Sequence, residues 1–179
     1  AQTAGYGNVA AVDISTEQVA GEARLGIIGV RAGDIMKTLA NLSPGSYDLV
    51  VCLDIPEHMA EGDLPPLAKA VHRVRKPGGR WFTQTMNGES PFLDHLRFGD
   101  MTHQNAFTRG SLRQLLLLSD FSKSTCYEDA PAPKRIRSNL RWLLWKNVWL
   151  PVILYLIPEC EWDGKNIILS QNLLCVAVN

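Results

Sequence analysis

The sequence predicts an α/β domain: a doubly wound, mostly parallel sheet with flanking helices. Three observations predict it. Short apolar runs alternate with helical patterns in the order β-α-β-α-β-α-β as far as Thr85, and that alternation implies parallel strands joined by right-handed crossovers. The run Val50-Val51-Cys52-Leu53 is apolar throughout, as in a strand buried on both faces of a parallel sheet. Three strand-like segments end at an acid, Asp13, Asp34 and Asp54, on the edge where open α/β sheets bind ligands.

Each element has its own local reason. Asn8 to Val12 reads as a strand closing on Asp13. Ser15 with Gln18 three residues on gives a capping-box pattern, starting a helix through about Arg24. Ile27 to Arg31 is a second strand, and Ile35 to Leu42 a short helix. Ser43-Pro44-Gly45-Ser46 is a turn before the run at Val50. Leu64 to Arg75 suits a helix, with Pro65 and Pro66 in the first turn, where a missing N–H costs little. Lys76-Pro77-Gly78-Gly79 is a break, and Arg80 to Thr85 the next strand. Met86 to Thr108 reads as a long polar loop, and Ser111 to Leu118 as a helix capped by Thr108 or Ser111. Ser122 to Tyr127 is a further strand, Ala130-Pro131-Ala132-Pro133 a linker, and Asn166 to Val178 an antiparallel strand at the sheet edge.

Composition sets bounds. A chain of 179 residues, 46% hydrophobic, is one domain that buries roughly 70% of its unfolded surface. Zero net charge provides no global field toward nucleic acid. Cys52, Cys126, Cys160 and Cys175 show no C-x-x-C spacing and read as buried free thiols of a reducing cytoplasm, with no metal site. Ala1 to Tyr6 lacks the basic start and apolar core of a leader, and the chain reads as a fragment begun inside a helix. Residues 1–129 form the predicted core, 130–165 a basic, Trp-rich helical insertion, and 166–179 the strand completing the sheet.

A carboxylate after a parallel strand can accept bonds from vicinal ribose hydroxyls or an adenine amine. Three on successive strands point to a nucleoside-type cofactor. Val12-Asp13-Ile14-Ser15, Ala32-Gly33-Asp34, Asp54-Ile55-Pro56-Glu57-His58 and Arg75-Lys76-Pro77-Gly78-Gly79 resemble, in register, the motifs of class I S-adenosylmethionine-dependent methyltransferases. Arg97-Phe98-Gly99-Asp100, Thr102-His103, Phe107-Thr108-Arg109-Gly110-Ser111 and Ser170-Gln171-Asn172 are similar to the bacterial subgroup acting on sugars and glycoconjugates. The resemblance implies a Rossmann-like fold from which the family's first strand and glycine-rich loop are missing, and Pro56 stands where that subgroup carries an aliphatic residue.

By that resemblance Asp13 binds ribose, with Ile14 beside it, and Gly33, Asp34 and Ile35 hold the adenine. Leu53 and Asp54 line the methionine side, and Glu57 and His58 close the pocket. The implied reaction is methyl transfer from S-adenosyl-L-methionine to a hydroxyl of a sugar or related small molecule. It requires aligned reactants and a base for the hydroxyl proton. His103 is the expected base, oriented by Asp100, with His95 the second choice; a loop cap at Asp100 and Thr102, with His103 packed on Phe107, is the plainer alternative. A fold-only, partner-binding domain is the competing reading of the whole chain. Gly5-Tyr6-Gly7-Asn8-Val9-Ala10 matches G-x-G-x-x-A, but a strand follows it where dinucleotide binding needs a helix, which disfavours a nicotinamide-dependent oxidoreductase.

Lys134, Arg135, Arg137 and Arg141 precede the Trp-rich apolar stretch to Pro158. Lys146, Asn147 and Pro151 make that stretch unfit to span a bilayer. It suits peripheral contact at the inner membrane face, a helix covering the sheet, or a homodimer contact.

Overall fold

In the computed structural model, residues 5–129, 136–156 and 168–178 are described. The order is β1 (Ala11–Asp13), α1 (Thr16–Arg24), β2 (Val30–Ala32), α2 (Ile35–Asn41), β3 (Tyr47–Leu53), α3 (Leu64–Val74) and β4 (Arg75–Met86). There follow α4 (Leu93–Arg97), α5 (Arg109–Leu117), β5 (Lys123–Glu128), α6 (Ile136–Leu144), a π-helical turn at Trp145–Trp149, α7 (Leu150–Leu156) and β6 (Asn172–Val178). The fold is Rossmann-like, with a mixed sheet and flanking helices. Strands β1 and β2 pair in parallel as one sheet, and a four-stranded sheet runs β3-β4-β6-β5. There β3 and β4 are parallel, while β6 is antiparallel to both its neighbours.

The local reasons hold in several places. Ser15 Oγ accepts from Gln18 N at 3.2 Å and caps α1. Thr108 and Ser111 cap α5 reciprocally. Helix α3 carries Pro65 and Pro66 in its first turn and turns Leu64, Leu67, Ala68, Val71 and Val74 inward. They pack with Leu39, Cys52, Trp81, Leu112, Leu116 and Phe121 in one core on one face of the four-stranded sheet. Leu39 lies on α2, so this helix links the two sheets.

Four expectations need correction. Strand β3 is not buried on both faces: Leu49, Val51 and Leu53 are 47%, 49% and 52% exposed, while Cys52 is fully buried. Among the described residues its hydrogen-bonded neighbour is β4 alone, and the helices pack on the Cys52 face. Residues 76–79 do not end an element; they bulge within β4. Arg75 lies opposite Tyr47 and Arg80 opposite Leu49, so the bulge is absorbed between consecutive pairings. Gly79 permits this, because a Cβ there would stand 3.1 Å from the carbonyl oxygens of Tyr47 and Asp48. Strand β6 is interior, since β5 takes the edge. The loop after Met86 contains α4, and buried Asn87 fixes its start by donating to the Ile168 and Ser170 carbonyls at 2.8 and 2.9 Å.

Beyond Asp54 the chain makes short 3-10 turns at Pro56–His58 and Glu61–Asp63 before α3 begins. Cys52 and Cys175 are buried thiols and Cys126 a half-buried one; Cys160 lies outside the described residues, as does the linker at 130–133.

Candidate active site

Two groups of residues gather at strand ends. In the first, β1 and β2 run in register, with Asp13 opposite Ala32, and Gly33 N donates to the Asp13 carbonyl at 2.9 Å. Asp13 Oδ1 accepts from Ser15 N at 2.7 Å. Asp34 Oδ1 caps α2 through Lys37 N at 2.8 Å. Both acids therefore sit on one rim, each with one oxygen fixed by a backbone amide. Ile14 is 82% exposed, and Ile35 is half-buried.

The second group forms at the end of β3. Asp54 takes a left-handed backbone, φ 52°, a conformation tolerated by Asp more readily than by most residues. Its N–H donates to the Gln84 carbonyl at 3.1 Å, and its Oδ1 accepts from Gln84 Nε2 at 3.1 Å. The turn so directed brings Glu57 inward, where it is 2% exposed. Thr85 Oγ1 donates to Glu57 Oε2 at 2.9 Å. Burial, the largest influence, raises the Glu57 pKa, and its hydrogen bonds oppose the rise.

The loop after α4 is stapled onto this turn. Gln104 N and Asn105 N donate to the Glu57 carbonyl at 2.7 and 3.1 Å. Gln104 Nε2 donates to the His58 carbonyl at 2.9 Å, and Asn105 Nδ2 to that of Met59. Arg97 holds the loop's other side through the carbonyls of His103 and Gln104. Gly99 allows α4 to close there, since a Cβ would meet the His95 carbonyl oxygen at 2.6 Å.

His58 and His103 are thereby brought together, with ring centroids 4.7 Å apart and planes tilted by 45°. His103 Nδ1 lies 2.9 Å from the Leu96 carbonyl. Asp100 meets His103 through its backbone, the His103 N–H donating to the Asp100 carbonyl at 3.3 Å, while its carboxylate turns to Thr102 rather than to the His103 ring. Asp100 Oδ1 accepts from Thr102 N at 2.8 Å and Thr102 Oγ1 at 2.7 Å, and Thr102 Oγ1 stands 2.9 Å from His58 Nδ1. The cause is the tight Asx turn, in which the Asp100 carboxylate reaches back to the amide two residues on. Those bonds, the backbone one first, lower the Asp100 pKa. His103 meets His58 rather than Phe107, which is buried in the core. His95 is exposed on α4.

The structure thus joins Asp13, Gly33 and Asp34 on one sheet, and Asp54, Glu57, His58, Asp100 and His103 around the end of the other. Thr85, Gln84, Thr102 and Gln104 were not singled out as site residues by the sequence. Of these, only Thr102 carried a local signal, the Asp-x-Thr turn.

Residues 1–83 match the family model of a methyltransferase domain. A ubiquinone biosynthesis O-methyltransferase of Idiomarina loihiensis is 40% identical over 52 residues, 29% of this chain and 21% of that protein. One of Pseudomonas aeruginosa is 41% identical over 49 residues, 27% and 20% respectively. The match spans about a fifth of these curated relatives. Among solved structures, a SAM-dependent methyltransferase from Archaeoglobus fulgidus superposes with TM-score 0.68 at 18% identity, covering 94% of this chain and 74% of that one. One from Mesorhizobium loti gives 0.60 at 18%, covering 94% and 78%. PigF with SAH gives 0.60 at 14%, covering 99% and 45%. These likenesses show the methyltransferase fold.

Proposed function

We propose that this chain binds S-adenosyl-L-methionine at the carboxylate rim and transfers its methyl group to a hydroxyl of a sugar or related small molecule. The observation that carries the reading is that Asp13, Asp34 and Asp54 stand at or just beyond the ends of the parallel strands β1, β2 and β3, each with one carboxylate oxygen engaged. Each gives Oδ1 to a protein donor, and Oδ2 has no protein hydrogen bond among the described residues. A rim of half-engaged acceptors fits a ligand rich in hydroxyl and amine donors. Asp13 and Ile14 hold the ribose; Gly33, Asp34 and Ile35 hold the adenine; Leu53, Asp54, Glu57 and His58 bound the methionine side.

Bound there, S-adenosyl-L-methionine supplies an electrophilic sulfonium methyl. The chain's part is to align the acceptor oxygen with that methyl, exclude water and take the hydroxyl proton. Proton acceptance falls to the imidazoles of His58 and His103, the two rings that meet at this edge. The matched segments of relatives named O-methyltransferases favour oxygen as the acceptor atom. Incubation with methyl-tritiated S-adenosyl-L-methionine and a panel of hexopyranosides and catechols tests the reading. Label in a hexopyranoside is expected. Label in catechols alone would replace the sugar assignment, and label in none would favour a fold-only, partner-binding domain.

A peripheral membrane contact is proposed for the same chain. From Ile136 to Leu156 the chain is continuously helical, with Arg137, Arg141, Lys146 and no acid. Pro151 enters just after the π-helical turn, where its missing N–H is accommodated. Trp145 of this helix reaches Glu128 Oε1 at 3.2 Å and the Phe92 ring at 6.1 Å. Ile136, Leu140, Leu144, Val148, Trp149 and Tyr155 stay 46–88% exposed. No described helix is long and apolar enough to cross a membrane. A basic, apolar helix suits the headgroup layer of an anionic bilayer. Salt-sensitive flotation with phosphatidylglycerol vesicles is expected; equal recovery without vesicles would remove the contact, and a concentration-dependent dimer would assign the helix to self-association.

A further inference from the structure

His58 and His103 are not equivalent bases, and hydrogen-bond direction distinguishes them. A hydroxyl has one proton. Thr102 gives its proton to Asp100 Oδ1, 2.7 Å away, where a lowered pKa keeps the carboxylate an acceptor. Toward His58, Thr102 Oγ1 can therefore only accept, so His58 Nδ1 carries the hydrogen across 2.9 Å. Neutral His58 is then bare at Nε2. His103 is also protonated at Nδ1, because the Leu96 carbonyl opposite it cannot donate. The difference lies behind each ring: a neutral carbonyl behind His103, and a hydroxyl backed by a carboxylate behind His58.

We propose that Asp100, Thr102 and His58 form a relay that makes His58 Nε2 the general base of the transfer. This rests on the methyl-transfer reading above. His58 Nε2 receives the acceptor's hydroxyl proton as the new oxygen–methyl bond forms; the electron pair of the breaking methyl–sulfur bond stays on sulfur, which leaves as a neutral thioether. The imidazolium so created lies within the field of Asp100 through Thr102 and of Glu57 on its own turn. Its proton then passes to water. The other charged or titratable groups around it are His103, Asp54 and Arg97, the last committed to the His103 and Gln104 carbonyls. Asp100 and Thr102 are positioning residues.

Long-range nitrogen-15 NMR of the histidine rings reads the relay without an acceptor. At pH 8 His58 is expected as the Nδ1–H tautomer, and Thr102→Val is expected to return it to the commoner Nε2–H form while His103 stays unchanged. An Nε2–H His58 in the parent chain, or one unmoved by Thr102→Val, overturns the relay. In the tritium assay with hexopyranoside, His58→Gln is expected to lower kcat about 100-fold or more and to abolish the acid limb of the pH profile; His103→Gln keeps that limb. An acid limb surviving His58→Gln overturns the role of His58. Failure of S-adenosylhomocysteine to bind would overturn the underlying transfer reading, and would do so without disturbing the tautomer result.

Discussion

The β1–β2 pair and the four-stranded sheet are held by different physics. From Tyr6 to Thr38 no residue is fully buried, and α1 has none. The order there comes from short-range bonds: Ser15 on α1, Asp34 on α2, Asp13 on its own turn. The four-stranded sheet instead carries Cys52, Trp81, Leu173, Cys175 and Ala177 beneath α3 and α5. The rim proposed for ribose and adenine therefore rests on caps and turns, and the edge proposed for proton transfer on a packed core. Regions with few buried contacts open at low free energy, so occupancy of the first rim stabilises the part of the molecule with the least packing of its own.

Leu67→Ala should break the packed side most severely. Leu67 is 1% exposed, and losing its side chain should cost about 3 kcal/mol in urea denaturation. Ser15→Ala removes the α1 cap and should cost about 1 kcal/mol, read as faster amide exchange in α1 and β1 with little change in the global midpoint. A full shift of the midpoint would mean that the two regions unfold as one.

The third test uses pH. Burial raises the folded pKa of Glu57, so the folded state holds its proton more tightly than the unfolded state. This group's penalty is absent below its ordinary carboxylate pKa and grows as pH rises through the elevated folded value. Glu57→Gln, which keeps an acceptor for Thr85, should therefore gain stability over the parent at pH 8 and lose that advantage by pH 4. Smallest of all, Val51→Thr on the open face of β3 should change stability by less than about 0.5 kcal/mol, because Val51 is already 49% exposed.

Local chemistry was legible in the sequence, and long-range closure was not. The Ser15–Gln18 spacing and the prolines of α3 gave their helices directly, and the acids at 13 and 34 gave their rim. The Pro77-Gly78-Gly79 stretch reads as a terminator, yet β4 passes through it, because Gly79 fits against the Tyr47 and Asp48 carbonyls, a contact absent from local pattern. The apolar run of β3 signals burial on two faces, but apolar character does not say which faces find partners. Asp100 beside His103 suggests a pair by proximity in sequence. The actual partner of that carboxylate is Thr102, and through it His58, 44 positions from Thr102; no spacing rule reaches so far.

Calorimetric titration of this chain with S-adenosylhomocysteine tests the carboxylate rim most directly. Saturable binding is expected, weakened about tenfold or more, or about 1.4 kcal/mol, by Asp13→Asn, with Asp34→Asn weakening it as well while still capping α2. Binding of equal strength in both variants, or none in the parent chain, would contradict the assignment of this rim to a methyl donor.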